Sequence, residues 1–570
     1  MSDSLSRQSS SFAIDTVREW SAATAVSFCV ALAVIAPFFF LGTPSGHDVA
    51  FHTASWLDAA GQWKQGVILP RWTEWANFGY GEPRFIFYPP LSWLLGAFLG
   101  TILPWTSVAA VFIFLAQAFA GLSAYRLLRK LADSRFAALL GAAFFAGNPY
   151  ALLIIYMRSD FAELLAMAFF PLLLLTAMQL GGIVSSEKAG AAKQIVRFAI
   201  AFCAIWLSNA PAAVIASYSI AAIFVFAAAR QKSFSPLVNG GGAILLGLGL
   251  AGFYLIPAIY EQRWVNITGA LAGELTPGDN FLFAKTVDAE HDAFNRIASW
   301  MAVLLILWMI AAAMASWRVT NRDSKVVSAV SMLGGVAILL MLPITVVFWR
   351  LLPELRFVQF PWRWMSIVAL CATVFMTSSA RGWLRWAWLV AAAIAIAVSG
   401  QYLVKNAWWD TEDMPTLQAA MKDGAGFEGT DEYDPAGDDH TDLIQKEPRA
   451  RFVSSRTNAE GHSEAKVQVE KWTAEHRVVR VVASGPGRVV LHLLDYPAWR
   501  VTLNGNRVVL RHGSGTEQMI VAVPAGESEL QIDFTRTWDR TAGGWLSVAS
   551  LAASIALLYV RRRAPAEVND

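Results

Sequence analysis

From Gly46 to Pro90 the chain reads GHDVAFHTASWLDAAGQWKQGVILPRWTEWANFGYGEPRFIFYPP, directly after an apolar run of membrane-spanning length. This stretch holds Asp48, His52, Asp58, Glu74, Glu82 and Arg84 among many aromatic residues. Charge at that density does not sit in lipid, so the stretch lies on a membrane face or lines a cavity. Read as a helix over 46–64, its Val49, Thr53, Trp56, Ala60 and Trp63 form a mainly apolar stripe facing the membrane. Asp48 and His52, one helical turn apart, share a different face, turned toward a cavity. Asp48 falls in the first turn, where the helix dipole favours a carboxylate. A firmly held carboxylate suits a general base that takes a proton from a hydroxyl. An acidic helix start also serves stability alone, and His52 reads as a structural partner sooner than as a metal ligand.

Three further clusters carry charge where apolar spans begin or end. YMRSDFAELLA places Arg158, Asp160 and Glu163 together, which is costly unless they pair or face water; a local ion pair anchoring the helix is the plain alternative. FYLIPAIYEQRWVNI puts Glu261 and Arg263 after Pro257, with Tyr260 and Trp264 as interfacial anchors, and a long polar connection through His291 and Arg296 follows. WRLLPELRFVQFPWRW brings Arg350, Arg356 and Arg363 to one surface. Guanidinium forks bind phosphate oxygens bidentately. Trp362 and Trp364 can pack the start of a lipid chain or stack on a sugar, although interfacial snorkelling explains such residues too.

These residues must be held by a scaffold, and composition names its class. The 570 residues are 56% hydrophobic and 15% charged, against about 25% charged in soluble domains. The chain reads as a polytopic α-helical membrane protein with spans near 20–41, 105–128, 136–156, 161–181, 194–208, 211–229, 236–258, 298–317, 326–348, 364–380, 383–403 and 543–560. With 1–19 as a cytoplasmic tail, every inner connection is basic. These connections carry Arg126 to Arg135, Lys188 to Arg197, Arg230 and Lys232, Arg318 to Lys325, Arg381 and Arg385, and Arg561 to Arg563. The 90–103 segment is too short to span and reads as interfacial or re-entrant. No cleavable signal is expected at the N-terminus, and Cys29, Cys203 and Cys371 lie in apolar spans, so no disulfide framework is expected.

The expected organisation is a transmembrane domain over 20–403 with a first outer loop at 42–104, a periplasmic domain over 404–540, a last span at 541–560 and a cytoplasmic tail at 561–570. The periplasmic part begins acidic and loop-like. From Ala465 it alternates as strands (AKVQVEKW, RVVRVVAS, GRVVLHLLDY, WRVTLNG, NRVVLRH, MIVAVPAG, ELQIDFTR), with a hairpin turn at Asn504-Gly505. A small antiparallel β-sandwich is expected there. Core packing is its first use for Tyr496, Trp499 and Trp538, ahead of sugar stacking. No internal repeat of the kind many transporters show is visible.

A first span followed by SGHDVAFH and an aromatic loop ending in FYPPLSW resembles the GT-C superfamily of membrane glycosyltransferases. A closer resemblance is to the bacterial membrane family labelled 6-pyruvoyl-tetrahydropterin synthase-related, through HDVAFH, RFIFYPPLSW, MRSDFAELLA, GFYLIPAIYEQ, DNFLF, LRFVQFPWRW and EGTDEYDP. The β block, with DYPAWRVTLNG, is similar to the C-terminal domain of YfhO-like membrane proteins. The spans hold no zinc-binding histidine triad of a pterin enzyme. The resemblance implies transfer of a sugar from a polyprenyl-phosphate donor to a glycan, lipid or protein acceptor at the periplasmic face of a bacterial inner membrane. It implies Asp48 as the catalytic carboxylate and Asp160 or Glu163 as a second acidic position. Arg158, Arg356 and Arg363 become candidates for the donor phosphate, and His52, Glu82, Glu261, Gln359 and Trp362 for sugar or acceptor contacts. Relatives often carry a histidine where Asn209 stands. No cofactor and no nucleic acid are expected. A divalent metal, for which His47, Asp48, His52, Asp160 and Glu163 offer donors, is the lesser alternative. The rival classes are a transporter or flippase for lipid-linked saccharides, with polar groups at mid-membrane and two-sided access, and a non-catalytic assembly protein.

Overall fold

Apolar runs of this length satisfy their backbone groups in lipid only as helices, and a computed structural model shows them so. It describes residues 2–132, 134–185, 190–319, 324–437, 443–454, 465–512 and 516–560. Lys188, Arg322, Arg561, Arg562, Arg563 and the tail 561–570, read above as inner and basic, lie outside the described residues.

Among the described residues nine helices are long and apolar enough to cross a membrane, and two bent pairs raise the number to eleven. Ser235–Leu250 and Gly252–Trp264 meet at 78°, and Lys325–Leu340 and Pro343–Leu351 at 92°. The second bend has a visible cause in Pro343, which cannot continue the preceding helix. The expected span at 364–380 is the 15-residue helix Met365–Ser379. At 1.5 Å per residue it is about 22 Å long, short of a hydrocarbon core of about 30 Å. All its residues except Ser378 are buried, so it faces protein and is not bound to match the lipid.

Burial grades the spans. Leu384–Asn406 and Trp538–Tyr559 are only 17% buried, whereas Arg135–Arg158 and Phe161–Leu180 are 89% buried. The two innermost spans are therefore the ones whose junction carries Arg158, Asp160 and Glu163. At the other end of the bundle, Lys130, Arg381 and Arg385 line a cavity of about 560 Å³, which fits the basic connections gathering at one side.

The loop-one helix runs Val49–Lys64 and does not lie flat on a membrane face. Eleven of its residues are buried, His52, Asp58 and Gln62 among them. Trp56 explains much of this: its ring stacks on Phe112 at 5.4 Å and lies against Gly96, where a Cβ would stand 2.3 Å from the indole. Gly96 belongs to the apolar helix Pro90–Ile102, which at 13 residues is too short to span.

Among its described residues the C-terminal block forms nine strands: β1 (Ala450–Ser454), β2 (Ala465–Trp472), β3 (His476–Ala483), β4 (Gly487–Leu494), β5 (Trp499–Leu503), β6 (Asn506–Arg507), β7 (Arg511–His512), β8 (Gln518–Val523) and β9 (Gly526–Phe534). They make two antiparallel sheets, ordered β1-β4-β8-β7 and β2-β3-β9-β5-β6. Asn504 and Gly505, at φ 50° and 81°, turn β5 into β6 as a primed hairpin requires. NRVVLRH is not one strand: β6 pairs with β5 in one sheet, and β7 pairs with β8 in the other. Val479, Leu530, Val489 and Leu491 from both sheets share one apolar core with Trp72, Tyr80, Ile86 and Phe87 of loop one. Loop one is thus clamped between the bundle and the sheets.

Candidate active site

The site is built where loop one meets the junction of the innermost spans. The span Arg135–Arg158 ends in a π turn, Ile154–Arg158, and Ser159 is left-handed at φ 55°. Such a widened turn re-aims the side chains at its end. Loop one docks on this corner: Asp48 N–H donates to Arg158 O at 2.8 Å, and Gly46 N–H donates to Ser159 Oγ at 3.2 Å. Gly46 is required by closeness, since a Cβ there would stand 2.6 Å from the Arg158 carbonyl carbon.

Asp48 is the N-cap of the loop-one helix, yet its side chain caps nothing. It accepts instead from Arg158 Nη2, at 2.5 Å. Arg158 lies 4.0 Å from Asp160. Asp160 caps the next helix by accepting from Glu163 N–H at 2.8 Å. Arg363 closes the cluster, donating to Asp160 at 3.3 Å and to Glu163 at 2.9 Å. The Tyr150 hydroxyl donates to the other Glu163 oxygen. His52 Nε2 stands 3.6 Å from Asp160, just beyond hydrogen-bond reach. The Phe360 ring carries Arg158 at 4.7 Å and Arg363 at 4.8 Å. Burial works against an ionised Asp160, but His52, Arg363 and Arg158 outweigh it and hold this carboxyl well below the usual range.

The cluster is open at one end. Asp48 is 29% exposed in its side chain, while Arg158, Asp160, Glu163 and Arg363 lie between 2% and 7%. Arg363 is fully engaged: besides both carboxylates, its Nη1 donates to Val358 O at 2.9 Å and to Gln359 Oε1 at 3.3 Å. Arg158 is not, for its buried Nε has no partner.

The remaining expected site residues lie elsewhere or do other work. Glu82 is sealed against Arg84 at 2.5 Å. Glu261 accepts from Arg540 at 2.8 and 2.9 Å and from the Tyr496 hydroxyl at 2.6 Å, which ties the last helix and the sheets to the bundle. Arg356 is exposed, with its guanidinium over its neighbour Phe357. Gln359 also donates to Ala270 O at 2.6 Å. Trp362 is wholly buried between Phe360, Tyr150 and Phe294. Asn209 caps a helix through Ala212 N–H at 2.9 Å. Sequence reasoning missed Tyr150, Phe360 and Arg540. Phe360 had a signal, standing between two singled-out arginines; Tyr150, inside an apolar span, had none. His47 is exposed and meets Phe294 edge-on at 4.8 Å. Among the described residues no three His, Cys, Asp or Glu side chains are grouped to hold a metal ion.

A helical membrane protein that gathers carboxylates and arginines at one end of its innermost spans is the class that fold and site define. The chain belongs to the family described as 6-pyruvoyl-tetrahydropterin synthase related domain, membrane protein, which matches residues 85–411. That match takes in Arg158, Asp160, Glu163 and Arg363 and begins after Asp48. Among solved structures the chain is similar to arabinofuranosyltransferase AftD from Mycobacteria, at 17% identity and a TM-score of 0.42, over 67% of this chain and 27% of that one. It is also similar to the oligosaccharyltransferase AglB from Archaeoglobus fulgidus, solved with an inhibitory peptide and a dolichol-phosphate, at 15% identity and a TM-score of 0.39, over 70% of this chain and 57% of that one. The chain therefore spans about a quarter of the first protein's length and little over half of the second's. Likenesses of this degree transfer no residue roles. No curated protein matches the sequence.

Proposed function

We propose that this protein is a membrane glycosyltransferase that moves a sugar from a polyprenyl-phosphate donor to a hydroxyl of a glycan, lipid or protein. In this reading the Asp48 end of the bundle faces the periplasm of a bacterial inner membrane, and both termini are cytoplasmic. The observation that carries it is the Asp48–Arg158 pair: a solvent-reached carboxylate on a buried guanidinium that still has a free donor.

A carboxylate held by an arginine is a poor base until the arginine finds another anion. The donor phosphate is that anion. As Arg158 turns its fork to the phosphate, Asp48 is released beside the acceptor. Asp48 then takes the proton of the acceptor hydroxyl as that oxygen attacks the anomeric carbon. The bond from this carbon to the phosphate oxygen breaks, and its electron pair leaves with the polyprenyl phosphate, whose charge Arg158 meets. Asp160, Glu163 and Arg363 keep Arg158 and its ring platform in place. The clustering of these charges at one end of the bundle suits chemistry at one face better than passage through the membrane.

The test compares wild type with Asp48→Asn in detergent, each given a panel of polyprenyl-phosphate sugars, with released polyprenyl phosphate read by mass spectrometry. Release by wild type that disappears in Asp48→Asn at equal folding is the expected result. Release that survives the substitution moves the base elsewhere. Lipid binding without release of any sugar defeats the reading in favour of transport or assembly.

A further inference from the structure

The EGTDEYDP segment, Glu428 to Pro435, has no part in the charge cluster, yet it is laced to loop one along its length. Phe427 N–H donates to Trp75 O at 2.9 Å, Thr430 N–H to Glu82 Oε2 at 2.9 Å, and Asn77 Nδ2 to Asp434 Oδ1 at 2.9 Å. This anchoring delivers Tyr433 onto Phe87, stacked at 5.9 Å. From Tyr433 an aromatic row leads to the cluster. Phe51 is 6.4 Å away, Tyr88 lies 4.7 Å from Phe51, and His52, the neighbour of Asp160, lies 5.9 Å from Tyr88.

The hydroxyls on this row differ from those of seven other tyrosines. Tyr80, Tyr125, Tyr150, Tyr156, Tyr218, Tyr254 and Tyr496 each donate to a protein oxygen. Among the described residues the hydroxyls of Tyr88 and Tyr433 have no such partner, and neither is among the polar atoms sealed from solvent. Glu432, beside Tyr433, is half-buried and makes no ion pair among the described residues. Burial, with the Glu82 charge nearby, pushes its carboxyl up to about 7. Arg84, a cation whose charge acts on it, is engaged by Glu82, Ser55 and Thr430. Aromatic faces, free hydroxyls and a carboxyl with no free cation suit a neutral polyhydroxylated ligand, and disfavour a phosphate.

Resting on the glycosyl-transfer reading, we propose that Tyr88, Tyr433 and Glu432 form the acceptor subsite. A neutral saccharide lies along this row with one hydroxyl toward Asp48, while the donor phosphate takes the Arg158 side.

Saturation-transfer NMR on the full chain in nanodiscs tests this with neutral methyl hexopyranosides and pentofuranosides as probes. Binding of at least one glycoside is expected in wild type and in Asp48→Asn. It should weaken about tenfold in the Tyr88→Phe/Tyr433→Phe double variant, which keeps the ring packing, and also in Glu432→Gln. Equal signals in the tyrosine variants, or no binding of any glycoside, overturn the subsite. Glycoside binding that depends on the tyrosines, without donor turnover by wild type, upholds the subsite and counts against the transfer reading alone.

Discussion

Two arginine–carboxylate pairs in this molecule have the same length and opposite character. Arg84–Glu82 and Arg158–Asp48 are both 2.5 Å contacts. Both guanidiniums also sit on rings, Phe51 and Phe427 for one, Phe360 and Trp362 for the other. The Glu82 side chain is fully buried and its second oxygen accepts from Thr430 N–H; all three nitrogens of Arg84 are engaged. Asp48 is 29% exposed and Arg158 keeps an unpartnered Nε. A pair whose groups are all satisfied can only hold the fold. A pair with an open side and a free donor can exchange its partner, and that exchange is what the proposed transfer needs. Saturation, more than distance, separates the strut from the candidate site.

The comparison breaks first if Asp48 proves structural. Asp48→Asn is expected to lower turnover by about 10²–10⁴-fold with little change in thermal stability, measured as donor release beside a melting curve. The converse applies to Arg84→Ala. It strands a buried Glu82 and is expected to cost about 3–5 kcal/mol, read as denaturant unfolding in detergent, with activity per folded molecule retained. Arg158→Lys sharpens the contrast, since it keeps the charge and loses the fork. Its apparent KM for the donor should rise about tenfold.

A pH experiment probes the Arg84 side. Asp58 accepts from Gln62 Nε2 at 2.6 Å and Trp75 N–H at 3.0 Å, but burial and the nearby Glu74 raise its carboxyl from 3.8 to about 7. The folded protein therefore keeps a proton on Asp58 that the unfolded chain releases, so this group's contribution to stability is full below pH 3.8 and is lost as pH rises toward 7. The melting temperature should follow that slope, and Asp58→Asn should flatten it. The smallest effect belongs to a pure cap: Asn209→Ala should cost about 1 kcal/mol and leave turnover unchanged.

What the sequence made legible follows from what each environment demands. Lipid requires unbroken apolar helices, so the spans are visible in hydropathy; a half-buried strand requires alternation, so β2 to β5 are visible in period. The helix Met365–Ser379 fell short of its expected span because protein, not lipid, surrounds it, and hydropathy does not tell these apart. β1 passed unnoticed because five residues beside an acidic stretch give too little pattern. Asp48, Arg158 and Arg363 each stood out as charge beside apolar sequence. Their arrangement did not, because Arg158 reaches Asp48 across 110 positions and Arg363 reaches Asp160 across 203. Glu261 looked much like Asp48 in sequence, and only its partner 279 positions away, Arg540, shows it to be a strut.

The apolar core shared by loop one and the sheets has a consequence in time. Trp72, Tyr80 and Phe87 leave the ribosome early, while Val479 and Leu530, which cover them, follow about 400 residues later. At about 5–20 residues per second this is a delay of roughly 20–80 s. Throughout it the aromatic half of loop one lacks the sheets that cover it. Biogenesis of this protein thus has a vulnerable interval in which a holding chaperone or the lipid itself must shelter a loop that its own C-terminus will later claim.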